Sequence, residues 1–399
     1  MDSSSSNLHV GVNTLFLALG NYGGIETYTR ALMRELPALD PSVAYTLFAS
    51  PQAAAFDIDS AAKVREIVCP LPTVANRRVL WASRLAYEYG ILPRQAERQN
   101  VAVLFSPSFT APVRPGYASV VTIHDMQYED QPENFNAFDR AVFLRLVRHA
   151  ARSAAHILTV SEFTKGRIIA CYGIPPERIT VSPHAASPVY FTPRDPAEIA
   201  RVRAAYGLHE PYILSVATLH PHKNLDALID AFIALRQTQT WEGQLALIGL
   251  RGTAANALHA RIRSLGLARH IVLPGYVPDA DLPALYHGAE VYVLPSRYEG
   301  FGIPVLEAMA SGTPVITTSV TSLPEVAGDA ALFFDPDDRA ALVAALRRLR
   351  DDDALRRTLI ARGHERARLF TWRQTAERTL ATLYQVGARQ SSLSDLRRA

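Results

Sequence analysis

The chain has 399 residues, of which 48% are hydrophobic and 20% are charged. This composition is typical of a globular protein and excludes a disordered or collagen-like chain, and the length suffices for two domains of ordinary size. The formal net charge of +3 is too small to indicate a nucleic-acid-binding protein.

The two cysteines, Cys69 and Cys171, indicate neither a disulfide framework nor a thiolate metal site. A signal peptide begins with a basic segment followed by a long apolar run, and the first residues, MDSSSSNLHV, have neither. No stretch approaches the roughly eighteen apolar residues of a membrane-spanning helix. We therefore expect a cytoplasmic protein, which could still contact the cytoplasmic face of a membrane from outside the bilayer.

The first half of the chain alternates short apolar runs with segments of helical periodicity, a pattern that predicts a parallel sheet covered by helices. Strands are predicted at Leu8 to Val12, Tyr45 to Phe48, Val64 to Val68, Val101 to Phe105, Val120 to Ile123 and Ile157 to Val160. Helices are predicted at Ile25 to Leu36, Asn76 to Tyr89 and Asn136 to Ser153, and from the N-cap Ser161 to about Tyr172.

Two features of this half are candidates for a ligand site, although most glycine pairs only make turns and a lone histidine is usually structural. Gly23 and Gly24 lie between the first strand and the first helix, and a glycine pair lets the backbone approach a ligand closely. His124 follows the strand Val120 to Ile123. A polar side chain at the carboxyl end of a parallel strand lies at the ligand crevice.

The segment Asn76 to Gln99 combines arginines with aromatic residues. They are Arg77, Arg78, Arg84, Arg94 and Arg98, with Trp81, Tyr87 and Tyr89. One interpretation is a solvated basic face. The other is an acceptor or membrane-surface site, because arginines bind lipid-linked phosphate and aromatic rings lie at the membrane interface.

The segment Pro175 to Pro196 is rich in proline and has little periodicity, which is typical of an interdomain linker. We place the domain boundary near residue 190, so that a first domain spans residues 1–190 and a second spans 191–371. Apolar residues at helical spacing around Trp372 predict a terminal helix.

The second half repeats the alternation of strands and helices. Strands are predicted at Tyr212 to Val216, Leu245 to Gly249, Ile271 to Leu273, Val291 to Leu294, Pro314 to Thr318 and Ala331 to Phe334. Lys223, in the loop TLHPHKN after the first of these strands, is placed to meet a phosphate with its ammonium group. The acidic clusters DPDD and Asp351 to Asp353 are interpreted as helix-start and connector residues rather than metal ligands.

The segment YEGFGIPVLEAMASGTPVI carries the strongest functional signal. A glycine loop follows the strand Val291 to Leu294, Pro304 suits the first turn of a helix, and Gly312 suits its end. The start of that helix offers unpaired backbone N–H groups to an anion such as a phosphate. Glu299 before the loop and Glu307 inside the helix could accept hydrogen bonds from sugar hydroxyls.

With seven residues between Glu299 and Glu307, this segment resembles the E-x7-E signature of family-4 retaining glycosyltransferases of the GT-B fold. The segments GGIE, TIHDMQY, VSEFTK, TLHPHKN and GYV are similar to other segments of that family. The resemblance implies an α/β protein with two doubly wound Rossmann-like domains that face each other across a cleft. It also implies that the terminal helix, residues 372–399, joins the first domain.

The resemblance also implies roles for individual residues. Glu299 would hold the transferred sugar, Glu307 the ribose hydroxyls and Lys223 the diphosphate. The remaining proposed contacts are His124 beside the transferred sugar, Gly23 and Gly24 toward the diphosphate and acceptor, Tyr276 in a segment at the nucleotide base, and the backbone N–H groups near Gly302, Ile303 and Val305. No metal would be required. The chain departs from the family at two positions: many members carry arginine where this chain has His222, and some carry arginine where it has Thr218. His222 could supply positive charge only when protonated.

The implied activity is transfer of a hexose from a nucleoside-diphosphate sugar to an acceptor hydroxyl. The segment LPEVAGDAALFFDPDD resembles bacterial mannosyltransferases of surface-polysaccharide synthesis. We therefore expect GDP-mannose as the donor, with UDP-glucose as the alternative, and a glycan or a lipid-diphosphate-linked oligosaccharide as the acceptor. A nucleotide-sugar-binding protein without catalysis and a nucleotide-sugar epimerase of the same fold remain open, and neither a cofactor nor nucleic acid is expected.

Overall fold

A computed structural model of the chain describes residues 8–17, 23–53, 56, 58, 62–72, 77–237, 241–250 and 252–398. The chain forms two compact units, one of residues 1–183 with 372–399 and one of residues 184–371. The boundary that we place near residue 190 lies a few residues after this division. The terminal helix, Trp372–Arg398, belongs to the first unit.

Among the described residues, the first unit contains a seven-stranded parallel sheet with the strand order β3-β2-β1-β4-β5-β6-β7. Its strands are β1 (His9–Thr14), β2 (Ala44–Ala49), β3 (Val64–Val68), β4 (Val103–Ser106), β5 (Ala118–Ile123), β6 (His156–Thr159) and β7 (Ile179–Val181). Its other helices are α1 (Gly24–Leu39), α2 (Arg77–Gly90), α3 (Leu92–Arg98), α4 (Gln127–Asp130), α5 (Ala137–Ser153) and α6 (Glu162–Tyr172), with 3₁₀ turns at Pro132–Asn134 and Pro176–Arg178. The strand order reverses between β1 and β4, as in a doubly wound sheet.

The described part of the second unit contains a six-stranded parallel sheet with the order β10-β9-β8-β11-β12-β13. Its strands are β8 (Tyr212–Val216), β9 (Gln244–Ile248), β10 (Ile271–Gly275), β11 (Val291–Leu294), β12 (Val315–Thr318) and β13 (Ala331–Phe334). Its helices are α7 (Pro196–Ala205), α8 (Leu225–Gln237), α9 (Ala255–Ser264), α10 (Leu282–His287), α11 (Ile303–Ala310), α12 (Leu323–Ala327), α13 (Arg339–Asp351) and α14 (Asp353–Arg368), with 3₁₀ turns at Pro188–Phe191 and Pro221–Lys223. Because the order reverses between the paired strands β8 and β11, the loops after these two strands lie at the switch point.

These two sheets confirm the doubly wound α/β architecture. The central strands are apolar and buried on both faces, as β4, β5, β6, β11 and β12 show by being buried along their whole length. Such strands need helices on both sides of the sheet, which the sequence supplies between successive strands. The polar residues at their carboxyl ends are then the residues left to meet a ligand.

Polar side chains begin several helices as predicted. The Ser161 hydroxyl accepts from the Thr164 N–H at 3.1 Å at the start of α6. In the two acidic clusters, Asp338 accepts from the Ala341 N–H at 2.9 Å and Asp352 from the Leu355 N–H at 2.8 Å. The structure therefore confirms the helix start at Asp338. Asp352, predicted in a connector, lies between α13 and α14 and caps the start of α14.

The interpretation of the arginine-rich segment as a continuous basic face is wrong at Arg84. This side chain is buried, and its Nε lies 3.7 Å from Oε2 of Glu88. Glu88 is itself fully buried and accepts from Asn13 and Thr110, at 3.1 and 2.8 Å. Arg84 therefore compensates a buried carboxylate and is not available to a membrane or an acceptor. Asn76 and the side chains of Arg77 and Arg78 lie outside the described residues.

Within the described ranges, no helix is both long enough and apolar enough to cross a bilayer.

Candidate functional site

The site of the second unit is built on the two loops at the switch point. After β8, the chain forms the 3₁₀ turn Pro221–Lys223 and stops it at Asn224, whose φ is +54°. The Asn224 amide holds this turn by donating to the Pro336 carbonyl at 2.9 Å. The Arg297 N–H, in the loop after β11, donates to the His222 carbonyl at 2.7 Å. The two loops are thus joined through their backbones.

This junction brings Lys223 and Glu299 together. The Lys223 ammonium donates to Oε1 of Glu299 at 2.7 Å, and the Ser296 hydroxyl donates to the same oxygen at 2.6 Å. Both charged side chains are mostly buried, with exposed fractions of 15% and 13%. Since both contacts fall on Oε1, the second carboxylate oxygen of Glu299 remains as an acceptor. Two charges held in a shielded place are suited to bind a polar, anionic ligand.

The loop after β12 supports Glu299 from the other side. The Glu299 N–H donates to the Thr321 hydroxyl at 3.2 Å, and the Ser322 hydroxyl contacts the carbonyls of Glu299 and Phe301, each at 2.9 Å. Thr321 has a φ of +59°, which is unusual for a β-branched residue. Residues with a strained backbone are frequent at functional sites. Thr321 holds the backbone of Glu299 through the hydrogen bond to the Glu299 N–H.

Gly302 turns the chain into α11. Its φ of +111° lies in the region that favours glycine. The Val305 N–H donates to the Gly302 carbonyl at 3.0 Å, so this donor is used within the first turn. No acceptor among the described residues bonds the N–H groups of Gly302 and Ile303. Two of the three proposed backbone donors are therefore available to an anion, and the third is available only if the turn opens.

We expect Gly302→Ala to destabilise the protein by about 1–3 kcal/mol, because the backbone conformation at this position is strained for any residue that has a Cβ. That Cβ would also lie 2.9 Å from Cδ2 of Leu323. The measurement is the thermal unfolding midpoint, compared with Gly166→Ala. A Cβ at Gly166, inside α6, meets open space, so the control should unfold no earlier than wild type. Equal midpoints for wild type and Gly302→Ala would show that position 302 does not need the conformational freedom of glycine.

Glu307 lies one turn into α11 and is partly buried. The hydroxyl of Tyr286 donates to Oε2 of Glu307 at 2.9 Å. No ion pair to Glu307 occurs in the described part of the chain. Burial raises the pKa of this carboxyl to about 7, and the Tyr286 hydrogen bond opposes that rise. Glu307 therefore takes up a proton more readily than a glutamate in water does.

His222 does not supply positive charge in this structure. Its imidazole is half-buried and stacks on His220, with the ring centroids 5.8 Å apart. Burial and the neighbouring Lys223 ammonium lower the pKa of His222 to about 2. The side chain is thus neutral over the physiological range, and it offers hydrogen bonds instead of charge. The hypothesis that a protonated His222 replaces the arginine of other family members is not supported.

Tyr276 lies at the same edge of the sheet. It follows Gly275, the last residue of β10, and 57% of its surface is exposed. The Gly249 N–H, after β9, donates to the Gly275 carbonyl at 3.0 Å, and the Ala217 N–H, after β8, donates to the Ile248 carbonyl at 2.9 Å. The ends of three strands are thus tied together, and they carry Tyr276 and the loop of Lys223.

In the first unit, His124 lies at the carboxyl end of β5. Its Nε2 is 2.9 Å from the Pro107 carbonyl, which can only accept, so Nε2 carries the proton and Nδ1 is the acceptor nitrogen. The rings of Tyr28 and Phe109 pack against the imidazole at 5.0 and 5.7 Å. Burial lowers the pKa of His124 to about 4, so the ring is neutral at pH 7. Gly23, with a φ of +48°, precedes α1.

Sequence reasoning missed the residues that support the two glutamates. Thr321 and Ser322 follow β12, and polar residues after a parallel strand are a signal that could have identified them. Ser296 lies two residues after the end of β11, a strand of the same kind. Tyr286 and Tyr190, in contrast, gave no signal, because an aromatic residue in a short helical segment is usually part of the core.

In the described part of the chain, no three His, Cys, Asp or Glu side chains converge closely enough to hold a metal ion.

The chain matches two families, each over one half. Residues 22–188 match the family described as Glycosyltransferase Family 4, and residues 198–366 match the one described as Glycosyl transferases group 1. Among curated proteins, the chain is 37% identical over 306 residues to O-antigen chain mannosyltransferase B of Escherichia coli, an alignment that covers 76% of each chain.

Solved structures share the fold. Sucrose-phosphate synthase from Thermosynechococcus elongatus superimposes with a TM-score of 0.77 at 20% identity, over 96% of this chain and 100% of that one. WaaG, a glycosyltransferase involved in lipopolysaccharide biosynthesis, gives a TM-score of 0.75 at 17% identity, over 94% and 99%. The family matches, the E-x7-E carboxylates and the two doubly wound sheets lead to one conclusion: the chain belongs to the family-4 glycosyltransferases of the GT-B fold.

Proposed function

We propose that this glycosyltransferase moves mannose from GDP-mannose to a hydroxyl of a glycan or of a lipid-linked oligosaccharide, in the synthesis of a cell-surface polysaccharide. The observation that carries the proposal is the shielded pair of Lys223 and Glu299 at the switch point of the second sheet. The name of the Escherichia coli relative, which the chain resembles over three quarters of its length, supports mannose as the sugar.

In this proposal the Lys223 ammonium and the N–H groups of Gly302 and Ile303 bind the donor diphosphate. They stabilise the charge that develops on it as the bond between the anomeric carbon and the phosphate oxygen breaks. Glu299 accepts hydrogen bonds from the sugar and supports positive charge near the anomeric carbon. The acceptor oxygen attacks from the face that the diphosphate leaves, and its proton passes to the leaving phosphate oxygen, so configuration is retained.

His124 has a narrower role than that of an acid or base. Because the ring is neutral and Nε2 is occupied by the Pro107 carbonyl, Nδ1 can only accept a hydrogen bond. We propose that Nδ1 accepts from a hydroxyl of the transferred sugar. Lysine and backbone donors take the place of a divalent metal in this account, so turnover should persist in a chelator.

The acceptor proposal includes peripheral contact with the cytoplasmic face of the membrane through Arg77 and Arg78. Replacing both by Ser should weaken co-sedimentation with vesicles that contain anionic lipid, because each basic side chain near such a surface contributes about 1 kcal/mol. Arg84 must stay, since it compensates buried Glu88. Wild-type binding by the double variant would remove this proposal.

The experiment that tests the function is a turnover assay with GDP-mannose or UDP-glucose, with and without a lipid-diphosphate glycan, in a chelator. Acceptor-dependent release of GDP with an α-linked mannosyl product supports the proposal. The same result with UDP and glucose would move the donor assignment to UDP-glucose. Conversion of a donor to its epimer without any acceptor would indicate an epimerase, and tight donor binding without any turnover would indicate a binding protein.

A further inference from the structure

Two buried tyrosines surround the carboxylate of Glu307. We propose that Tyr286 and Tyr190 are positioning residues for donor binding: the Tyr286 hydroxyl fixes one oxygen of the Glu307 carboxylate and the Tyr190 ring supports Tyr286, so that the other oxygen is left to accept from the ribose hydroxyls of a nucleoside diphosphate. This inference rests on the proposed function, in which Glu307 binds ribose. It adds two residues to the site that no sequence pattern had indicated.

Tyr286 is the direct partner. It lies near the end of α10 with none of its surface exposed, and its hydroxyl donates to Oε2 of Glu307 at 2.9 Å. The backbone of Tyr286 is held in turn, since the Thr313 hydroxyl donates to its carbonyl at 2.6 Å. Thr313 follows the end of α11, the helix that carries Glu307. The donor and the acceptor of the tyrosine–glutamate hydrogen bond are thus fixed relative to each other.

Tyr190 packs against Tyr286. It lies in the 3₁₀ turn Pro188–Phe191 and is only 5% exposed. Its ring meets that of Tyr286 edge-on, with the centroids 5.5 Å apart and the planes at 85°. Its hydroxyl also acts on the Glu307 carboxylate and lowers the pKa of that group. Tyr292, in β11, packs on Tyr286 with the ring centroids 5.5 Å apart. Tyr190, Tyr286 and Tyr292 together form an aromatic wall.

The chemistry of this wall suits a ribose site. Burial raises the pKa of Tyr286 and of Tyr190, so both remain neutral hydroxyl donors at every physiological pH. A neutral donor orients a carboxylate without neutralising it. An arginine in the same place could bind both carboxylate oxygens in a bidentate pair and leave none for the ribose hydroxyls. Glu307 therefore stays available as an acceptor for a neutral diol.

The groups that face Glu307 also determine how donor binding depends on pH. They are Tyr286 from α10, Tyr190 from the 3₁₀ turn, Tyr292 from β11, and exposed Asp279 before α10, whose charge raises the pKa of Glu307. The ionised carboxylate is the stronger acceptor for the ribose hydroxyls, and protonation turns the oxygen that carries the proton into a donor. Affinity should therefore be highest above pH 7 and fall by up to tenfold per pH unit below it, because the proton and the ribose compete for the same oxygen.

The test is titration calorimetry with GDP and UDP and their 2′-deoxy and 3′-deoxy analogues, between pH 5.5 and 8.5. We expect the better ribonucleotide to bind wild type at least tenfold more tightly than its deoxy analogues. Tyr286→Phe should reduce this preference at least fivefold and move the loss of affinity to higher pH, since it removes a hydrogen bond that lowers the pKa of Glu307. Tyr190→Phe should change the ribose preference and the pH at which affinity is lost in the same directions, but by smaller amounts. Glu307→Gln should abolish the pH dependence.

Tyr206→Phe is the matched control. The Tyr206 hydroxyl donates to Asp281 at 2.7 Å, also a tyrosine–carboxylate hydrogen bond beside α10, but one that does not touch Glu307. It should leave both readouts at wild-type values. If wild type binds neither GDP nor UDP, the proposed function fails. A ribose preference in wild type that Glu307→Gln removes would support ribose binding by Glu307. If both tyrosine variants then kept the wild-type preference and pH profile, only the inference about the tyrosines would be overturned.

Discussion

Glu299→Gln is expected to lower kcat for sugar transfer by about 100-fold or more, which corresponds to about 2.7 kcal/mol of transition-state stabilisation. The amide keeps the shape of the side chain and can still accept from Ser296, but it has no charge. It therefore cannot support positive charge near the anomeric carbon, nor form the ion pair with Lys223. The measurement is initial-rate kinetics with saturating acceptor, together with the thermal midpoint to show that the variant folds.

The matched control is Glu365→Gln, which changes an exposed glutamate of α14 in the same unit. Its kcat should equal that of wild type. If Glu299→Gln retained more than half of the wild-type kcat, Glu299 would not act on the transition state, and the ion pair with Lys223 would have only a structural role.

Lys223→Met is expected to weaken binding of a nucleoside diphosphate by about 10- to 100-fold, because a charge-assisted hydrogen bond to an anion contributes about 1.5–3 kcal/mol. Binding of the corresponding nucleoside, which has no phosphate, should change much less. The comparison of the two ligands by titration calorimetry separates a lost phosphate contact from a general loss of the site.

Lys63→Met, which changes an exposed lysine of the first unit, should bind both ligands as wild type does. Equal losses for the diphosphate and the nucleoside in Lys223→Met would show that the lysine only holds Glu299 in place. No loss for either ligand would remove Lys223 from the donor site.

The segment around Glu299 was predictable because its signals are local. The strand Val291–Leu294 was predicted at the observed bounds, and the glycine loop, the helix and the next strand followed within one or two residues. Gly302 and Gly312 permit the positive φ values at the two ends of the helix, and Pro304 fixes φ in its first turn. None of these effects needs a distant partner. The doubly wound order of both sheets follows from repetition of the same strand–helix unit.

The environment of the charged groups was not predictable in the same way. Arg84 was assigned to a basic face, yet it pairs with Glu88, which also contacts Asn13 far away in the sequence. The neutral state of His222 depends on burial by other segments. Tyr286 reaches Glu307 only because α10 packs beside α11. Periodicity shows which face of a helix is apolar but not which polar atom of another element lies opposite.

Binding of a nucleoside-diphosphate sugar by the second unit is tested by titration calorimetry of GDP-mannose, UDP-glucose, GDP and UDP against wild type and Glu307→Ala. We predict micromolar affinity for GDP-mannose and GDP, and at least a tenfold loss in Glu307→Ala, about 1.4 kcal/mol. Folded wild-type protein that binds none of the four ligands, or Glu307→Ala that binds them as tightly as wild type, would contradict the account.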